Sequence, residues 1–366
     1  MKTVTLERVE KTYPDGTRAV RGIDLAIEAG EFVVLLGPSG CGKTTTLRMI
    51  AGLETPSAGR VRIGSDDVTA LRPRERDVGF VFQFFALYPH LTVRANISFP
   101  LECSRVAPDE RDRRVAAVAE RLGLTALLGK LPRQLAGGDQ QRVALGRALV
   151  RRPGVWLMDE PLGTLDSGLR LELCEFLRAQ QLEHRVTTVY VTHDQEEAMR
   201  LADRIVVMSE GAILQEGRAA RVYDEPASLF VARFVGSPGM NFIAGELHAD
   251  DLGRGARRIH PCPPLSGDPL VALRLPAGAA LLPSARVTLG IRPEALALDP
   301  SSPLRGRVVV DEYLGSSRCL HVATSVGRLI ARVGPDAPGT RGAEVGLRLD
   351  PAHVQLFDSD SGRRLA

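Results

Sequence analysis

Gly37-Pro38-Ser39-Gly40-Cys41-Gly42-Lys43-Thr44-Thr45 is the stretch on which the reading of this chain turns. It fits G-x-x-x-x-G-K-[ST], the pattern of a phosphate-binding loop. The apolar run 32–36 before it reads as a buried strand. After it, Leu47, Ile50 and Ala51 share a helical face over 46–51, and Gly52 suits the position just past a helix end. Glycines let backbone N–H groups turn inward onto phosphate oxygens, and the positive end of the helix dipole favours the anion. In that setting Lys43 neutralises the β- and γ-phosphates of ATP, and Thr44 sets its hydroxyl on Mg²⁺.

A loop that grips a triphosphate needs carboxylates nearby to cleave it. The run Val155-Trp-Leu-Met158 reads as a buried strand that ends in Asp159-Glu160. Either the strand ends in a solvated acidic turn, or Asp159 is placed to hold Mg²⁺ and Glu160 to polarise the attacking water as a general base. A second apolar strand, 188–191, ends in Thr192-His193-Asp194, with Asp194 and Glu197 at capping-box spacing before a helix over 195–203. A histidine at such a junction either braces the turn or faces the crevice that Glu160 faces. Gln83 follows a strand at 78–82 and is a candidate Mg²⁺ ligand that senses the γ-phosphate. The aromatics after it, Phe84, Phe85 and Tyr88, belong either to the core or to an exposed patch that meets a partner. Leu135-Ala136-Gly137-Gly138-Asp139 opens a helix with two glycines and an acidic cap, itself a candidate anion site.

With 366 residues the chain has length for two domains. Its net charge of +3 gives no argument for a nucleic-acid partner. Lysine occurs only at Lys2, Lys11, Lys43 and Lys130, so the one inside the loop stands out against an arginine-rich background. Cys41, Cys103, Cys174, Cys262 and Cys319 show no pairing rhythm and no C-x-x-C, which fits a reducing compartment better than a disulfide or zinc scaffold. The sequence predicts no signal peptide and no membrane span, so work at a membrane requires docking onto a partner that spans it.

Residues 1–235 alternate strand and helix, the pattern of a largely parallel sheet covered on both faces. Residues 3–9 and 23–27 suggest a small antiparallel region with a turn at Pro14-Asp15-Gly16, and 106–151 suggest a helical part. Composition shifts near Gly236-Ser-Pro-Gly239. Short strand-like runs follow at 271–275, 287–291, 307–310, 320–322 and 329–333, predicting a small all-β domain over 236–366. No pattern assigns 250–270.

Together these motifs resemble the ATP-binding subunits of ABC transporters, and the likeness spans the whole first domain. In that likeness Gly37 to Thr45 is the Walker A loop, Gln83 the Q-loop, and Leu135 to Asp139 the signature. Val155 to Glu160 is Walker B, Pro161-Leu-Gly-Thr-Leu-Asp166 the D-loop, and His193 the switch histidine. Tyr13 matches the aromatic that stacks on adenine. Thr45-Thr-Leu-Arg-Met-Ile-Ala-Gly-Leu-Glu54, Ala86-Leu-Tyr-Pro-His90, Gly236-Ser-Pro-Gly-Met-Asn-Phe242 and Gly290-Ile-Arg-Pro-Glu294 resemble importers of the maltose and glycerol-3-phosphate type. The resemblance implies a P-loop NTPase core with a C-terminal OB-like regulatory domain. It also implies an ATPase dimer, commonly of like subunits, at the cytoplasmic face of the membrane. That dimer sits beneath two permease subunits that receive solute from a binding protein. Phe84 to His90 and Phe99-Pro100 match the surface that grips the permease. The nucleotide is sandwiched between the Walker A loop of one subunit and the signature of the other.

The chain departs from the family pattern at four places. Ala136 stands for the signature serine and Asp139 for its glutamine, Gly163 for the D-loop serine, and Phe84 for the asparagine after Gln83. Ala136 lacks a donor for the γ-phosphate, while Gly137 and Gly138 keep their backbone N–H groups, so the reading is a weakened site with slow turnover. Asp139 is expected to bring negative charge towards a polyphosphate. Pairing with a second kind of subunit that carries an intact signature is the other arrangement the departures allow. Importers of polyamine, iron or inorganic anions share this core, and a nucleotide-responsive regulator remains a further reading. ABC ATPases acting on nucleic acid usually carry two nucleotide domains or long helical insertions, and this chain has neither.

Overall fold

The computed structural model describes residues 1–163, 165–249, 256–261, 271–274 and 284–365. Chain contacts divide it into two units, Met1–Ala219 and Ala220–Ala366.

The first unit opens with strands β1 (Val4–Thr12), β2 (Arg18–Ile27) and β3 (Phe32–Leu36), then helix α1 (Lys43–Ala51). Strands β4 (Ala58–Ile63), β5 (Asp66–Asp67) and β6 (Val78–Val81) follow, then helices α2 (Val93–Cys103), α3 (Pro108–Arg121) and α4 (Gly137–Leu149). The unit closes with β7 (Val155–Asp159), α5 (Ser167–His184), β8 (Thr187–Thr192), α6 (Gln195–Leu201), β9 (Arg204–Ser209) and β10 (Ala212–Gly217). The main sheet has the order β10-β9-β3-β8-β7-β6. Its pairs are parallel from β9 to β6, and only β10 runs antiparallel. Every residue of β3, β7 and β8 is buried, which is why these strands read as unbroken apolar runs rather than alternations. A separate antiparallel sheet, β2-β1-β4-β5, carries the turn at Pro14-Asp15-Gly16.

Helix α1 begins at Lys43, not at Thr46 as the apolar spacing suggests. Its N-cap is Gly42 at φ 103°, so Lys43 and Thr44 already lie in the first turn. Gly52 ends the helix as expected, at φ 76° with its N–H on the Arg48 and Met49 carbonyls. The unexpected element is Arg76. Only 2 % exposed, it donates Nη1 to the Met49 and Ile50 carbonyls at 2.7 and 3.0 Å. Its Nε and Nη2 donate to the carbonyls of Leu71 and Thr69. Burial holds its pKa below the usual arginine value. A buried cation thus satisfies the C-terminal carbonyls of the phosphate-loop helix, where the dipole is negative. Arg76→Met is expected to destabilise the unit by about 2–4 kcal/mol, because the Ile50, Leu71 and Thr69 carbonyls lose the guanidinium and Met49 keeps only the Gly52 N–H. Urea unfolding monitored by circular dichroism checks this, and an unchanged midpoint refutes it.

The second unit holds helices α7 (Ala219–Asp224), whose first residue closes the first unit, and α8 (Leu229–Phe234), then strands only. Strands β11 (Asn241–Ala249), β12 (Ala256–Pro261), β13 (Val271–Arg274) and β14 (Ser284–Ile291) join β20 (Gln355–Asp358) in the order β13-β12-β11-β14-β20. Strands β15 (Leu296–Leu298), β16 (Arg305–Tyr313), β17 (Arg318–Thr324), β18 (Gly327–Val333) and β19 (Glu344–Leu349) form a sheet of order β15-β19-β16-β17-β18. All these pairings are antiparallel, and Ile243, Leu289, Leu320, Val322 and Leu347 lie in a shared core. The division between units precedes the compositional shift at Gly236 for a packing reason. Ala232 of α8 packs with Met240 and Phe357. Arg292, buried, donates to the carbonyls of Tyr223, Ala232 and Val235. Strand β12 falls within 250–270, for which the sequence carries no assignment; Cys262, Leu275 and the D-loop residue Thr164 lie outside the described residues.

Candidate nucleotide site

The loop between β3 and α1 is shaped by backbone demands that only glycine meets. A Cβ at Gly37 would stand 2.3 Å from the Met208 carbonyl oxygen, and one at Gly42 would stand 2.4 Å from that of Ala19. The chain therefore closes tightly over 37–42 and delivers Lys43 to the start of the helix. Lys43, 4 % exposed, donates Nζ to the carbonyls of Gly37 and Pro38 at 2.7 and 2.9 Å and lies 3.7 Å from Cys41 Sγ. The ammonium is held inside the loop's own curve. Ser39 and Gly40 form its exposed crest, with Gly40 at φ 77°.

Thr44 Oγ1 donates to Asp159 Oδ1 at 2.8 Å, which joins the loop to the end of β7. Asp159 is 5 % exposed, and its pKa is raised, first by burial and then by the charge of Glu160, while the Thr44 bond opposes this. Surplus negative charge beside a hydroxyl, at the mouth of a parallel sheet, suits a hard divalent cation with oxygen ligands. Among the described residues no group of three or more His, Cys, Asp or Glu converges as a metal cage. A hydroxyl and one carboxylate are the sparse protein contribution that Mg²⁺ takes when phosphate and water supply the rest.

Glu160 adopts φ 44°, the left-handed region that a residue with a Cβ enters only when its surroundings compel it. Its N–H donates to the Val191 carbonyl of β8 at 2.9 Å, and its carbonyl accepts from Gly163 N–H at 3.3 Å. Gln83 Nε2 donates to Glu160 Oε2 at 3.0 Å, and His193 Nδ1 lies 3.4 Å from the same oxygen. Gln83, Glu160 and His193, brought from three strand ends, therefore meet on one carboxylate. Tyr13, just past β1, approaches Thr45 Oγ1 with its hydroxyl at 3.4 Å and carries Lys11 Nζ 5.1 Å over its ring.

The signature stretch stands apart from this group. Ala136 and Gly137 are exposed at the start of α4, and no recorded hydrogen bond of 136–139 reaches the phosphate loop among the described residues. Asp139 is not the cap. Ala136 is the N-cap and makes no side-chain bond, while Asp139 sits in the first turn and pairs with Arg142. Arg142 in turn donates to the Leu122 carbonyl at 3.1 Å. The charge of Asp139 is thus partly met within its own helix. Gln141 of α4 donates to the Pro161 carbonyl, so the signature helix rests on the segment that follows Glu160.

The aromatic stretch splits in two. Phe84 is 83 % exposed, whereas Tyr88, also exposed, packs its ring tilted at 51° against Phe99 of α2 with centroids 4.7 Å apart. Arg147 of α4 donates to the carbonyls of Phe85 and Ala86 and covers the Tyr88 ring at 5.5 Å. Sequence reasoning had no signal for Arg147, Arg142 or Arg76, which reach the carbonyls of Phe85, Leu122 and Met49 far along the chain.

Family comparison agrees with this geometry. The ABC transporter family matches residues 20–163, the MalK OB fold domain 236–296 and the TOBE domain 289–357. The sn-glycerol-3-phosphate import ATP-binding protein of Cereibacter sphaeroides is 43% identical over 368 residues, covering 100% of both chains. The chain belongs to the ATP-binding proteins of ABC transporters. The trehalose/maltose import ATP-binding protein of Thermococcus litoralis is likewise 43% identical over 382 residues and 100% of both chains. Among solved structures, a dimeric ATP-binding cassette in a post-hydrolysis state with ADP and phosphate is 35% identical with TM-score 0.56, covering 59% of this chain and 98% of that one. The protein is accordingly an ABC-type ATPase that takes ATP with Mg²⁺, built as a P-loop fold with a C-terminal β domain of OB and TOBE type. Import ATP-binding subunits of this family work as dimers with membrane permeases. No helix among the described residues is long and apolar enough to cross a membrane.

Proposed function

We propose that this chain is the ATPase subunit of an importer for a sugar or a related polyol phosphate, with 1–235 as its ATP-binding domain and 236–366 as its regulatory β domain. The observation that carries the catalytic part is the meeting of Gln83, Glu160 and His193 on one carboxylate beside the Thr44–Asp159 pair. Lys43 and the N–H groups of Gly37, Ser39, Gly40, Cys41, Gly42, Thr44 and Thr45 bind the triphosphate, with Pro38, which has no N–H, as part of the loop wall, and the α1 dipole adds to their field. Thr44, Asp159 and Gln83 hold Mg²⁺, which when bound neutralises phosphate charge. Glu160 takes the proton from the attacking water, and His193 orients that water and the γ-phosphate. Tyr13 supports the adenine. Ala136, Gly137, Gly138 and Asp139 face the nucleotide of a second subunit, which fits the exposure of Ala136 and Gly137 at the start of α4.

The partners are a second copy of this chain, two permease subunits and, through them, a solute-binding protein. That places the chain peripherally on the cytoplasmic face of the membrane. The surface around Phe84 and Tyr88 meets the permease, and the Arg147 contacts tie it to the signature helix, so that movement of one is felt by the other. Full-length homology to import ATP-binding proteins for glycerol-3-phosphate and for trehalose or maltose supports this class of solute. Deleting the gene is expected to abolish uptake of one labelled sugar or polyol phosphate, and the chain should co-purify with two permease subunits from detergent-solubilised membranes. Intact sugar uptake with loss of polyamine, iron or anion uptake overturns the solute assignment. A chain found only in the soluble fraction overturns the importer.

A further inference from the structure

A single arginine on α5 holds both segments that carry the reacting side chains. Arg170 donates Nη2 to the carbonyl of Leu165, in the stretch that follows Glu160, at 2.9 Å. It donates Nη1 to Asp194 Oδ2 at 2.9 Å, immediately after His193. Its Nε lies 3.6 Å from Oε1 of Glu197, within ion-pair reach but outside a hydrogen bond.

Glu197 is a buried carboxylate, 3 % exposed, on the first turn of α6. Its spacing from Asp194 predicts a reciprocal capping box, but only half of that box exists. Asp194 accepts the N–H groups of Glu196 and Glu197. The Glu197 side chain turns inward instead, and its Oε2 accepts Tyr190 and Thr192 hydroxyls, each at 2.8 Å. Thr192 Oγ1 in turn accepts the Asp194 N–H at 2.9 Å. His193 is therefore flanked on both sides by residues tied to this carboxylate. Burying a carboxylate is costly unless it is paired and fully hydrogen-bonded. Helix α6 could be capped by Asp194 alone, so capping does not account for Glu197.

We propose that Glu197 and Arg170 are positioning residues for hydrolysis: together they fix where His193 stands against Glu160 and lock the segment after Glu160 to the same frame. Neither touches the loop of Lys43, so nucleotide binding does not depend on them. Glu197 acts through Thr192 and Asp194 on the His193 backbone, and Arg170 couples that junction to Leu165.

The inference rests on the assignment of Glu160 and His193 to hydrolysis, and the experiment separates the two. Full-length Glu197→Gln keeps the shape but presents an amide NH₂ either to Arg170 or to the hydroxyls. It is expected to lower kcat for ATP by about tenfold with KM within about twofold, while a merely structural role moves the melting temperature alone. In a His193→Gln background the same substitution is expected to change the residual single-turnover rate by less than about twofold, because its effect passes through the histidine. Arg170→Lys, which keeps one of the three contacts, is expected to fall between wild type and Arg170→Ala in kcat. Overturning results are an unchanged kcat in soluble, folded Glu197→Gln, a tenfold loss repeated in full without His193, or equal rates for Arg170→Lys and Arg170→Ala. If Glu197→Gln does not fold, the two Arg170 variants alone decide. A His193→Gln protein with wild-type turnover would instead refute the assignment of the histidine itself.

Discussion

Glu160→Gln is expected to lower steady-state phosphate release by about 10²–10⁴-fold while ATP affinity stays within a few-fold of wild type. The expectation follows from what the substitution leaves in place. A glutamine oxygen still accepts from Gln83 Nε2, and the backbone bond to Val191 does not involve the side chain. Lys43, Thr44 and Asp159 are untouched, so the grip on the triphosphate persists. What disappears is the only function that needs a carboxylate there, acceptance of a proton from water. The backbone supports this weighting. A non-glycine residue at φ 44° stores roughly 1–3 kcal/mol, and that strain is tolerated where it aims a side chain. Phosphate release by a coupled assay, alongside equilibrium binding of a fluorescent ATP analogue, gives both numbers. Turnover within threefold of wild type removes Glu160 as the base. Lost affinity with lost turnover means that the carboxylate was holding the metal instead.

The sequence made the catalytic strands legible because they obey one rule: parallel strands buried on both faces are continuously apolar up to the residue that reaches the crevice. Phe32–Leu36 is the observed β3 without adjustment, and β7 and β8 end where Asp159 and His193 begin. The half-buried strands were less visible. Strand β4 mixes arginine with small residues, and the apolar stretch of β10, Ala212-Ile213-Leu214, is too short to mark a strand. The α1 start was missed for a related reason, since its first turn is loop sequence by composition and helix by geometry. Long-range arginines were invisible altogether. Arg76 and Arg147 satisfy carbonyls of segments distant in the chain, Arg170 pairs with the distant Asp194 carboxylate, and an arginine-rich composition hides which cations are buried. Glu197 is the instructive case, because its spacing pointed to the backbone of Asp194 and burial turned it to two hydroxyls.

Restoring the signature, Ala136→Ser with Asp139→Gln, is expected to raise ATP turnover by roughly ten- to a hundredfold. A hydrogen bond to a charged group is worth about 1.5–3 kcal/mol, and if it forms chiefly in the transition state nearly all of that appears in the rate. The structure apportions the effect between the two positions. Asp139 is paired with Arg142, so its charge is already screened, and Asp139→Gln alone should change little. Ala136 is exposed and is the N-cap of α4 with no side-chain bond, so Ala136→Ser should carry most of the gain. A serine there also stabilises the helix by about 1 kcal/mol as a cap, which raises the melting temperature without touching turnover. Ala136→Asn separates the two contributions, since asparagine caps as well but is bulkier where the partner's nucleotide is expected. Turnover of the four proteins, with their melting temperatures, tests the idea: a stability gain with no rate gain in the double variant eliminates it. A mixed dimer with a subunit of intact signature is the separate arrangement the departures allow, in which one sandwich is already competent. Native mass spectrometry of the complex from its host distinguishes the cases, and a pure homodimer leaves the weakened signature as the property of both sites.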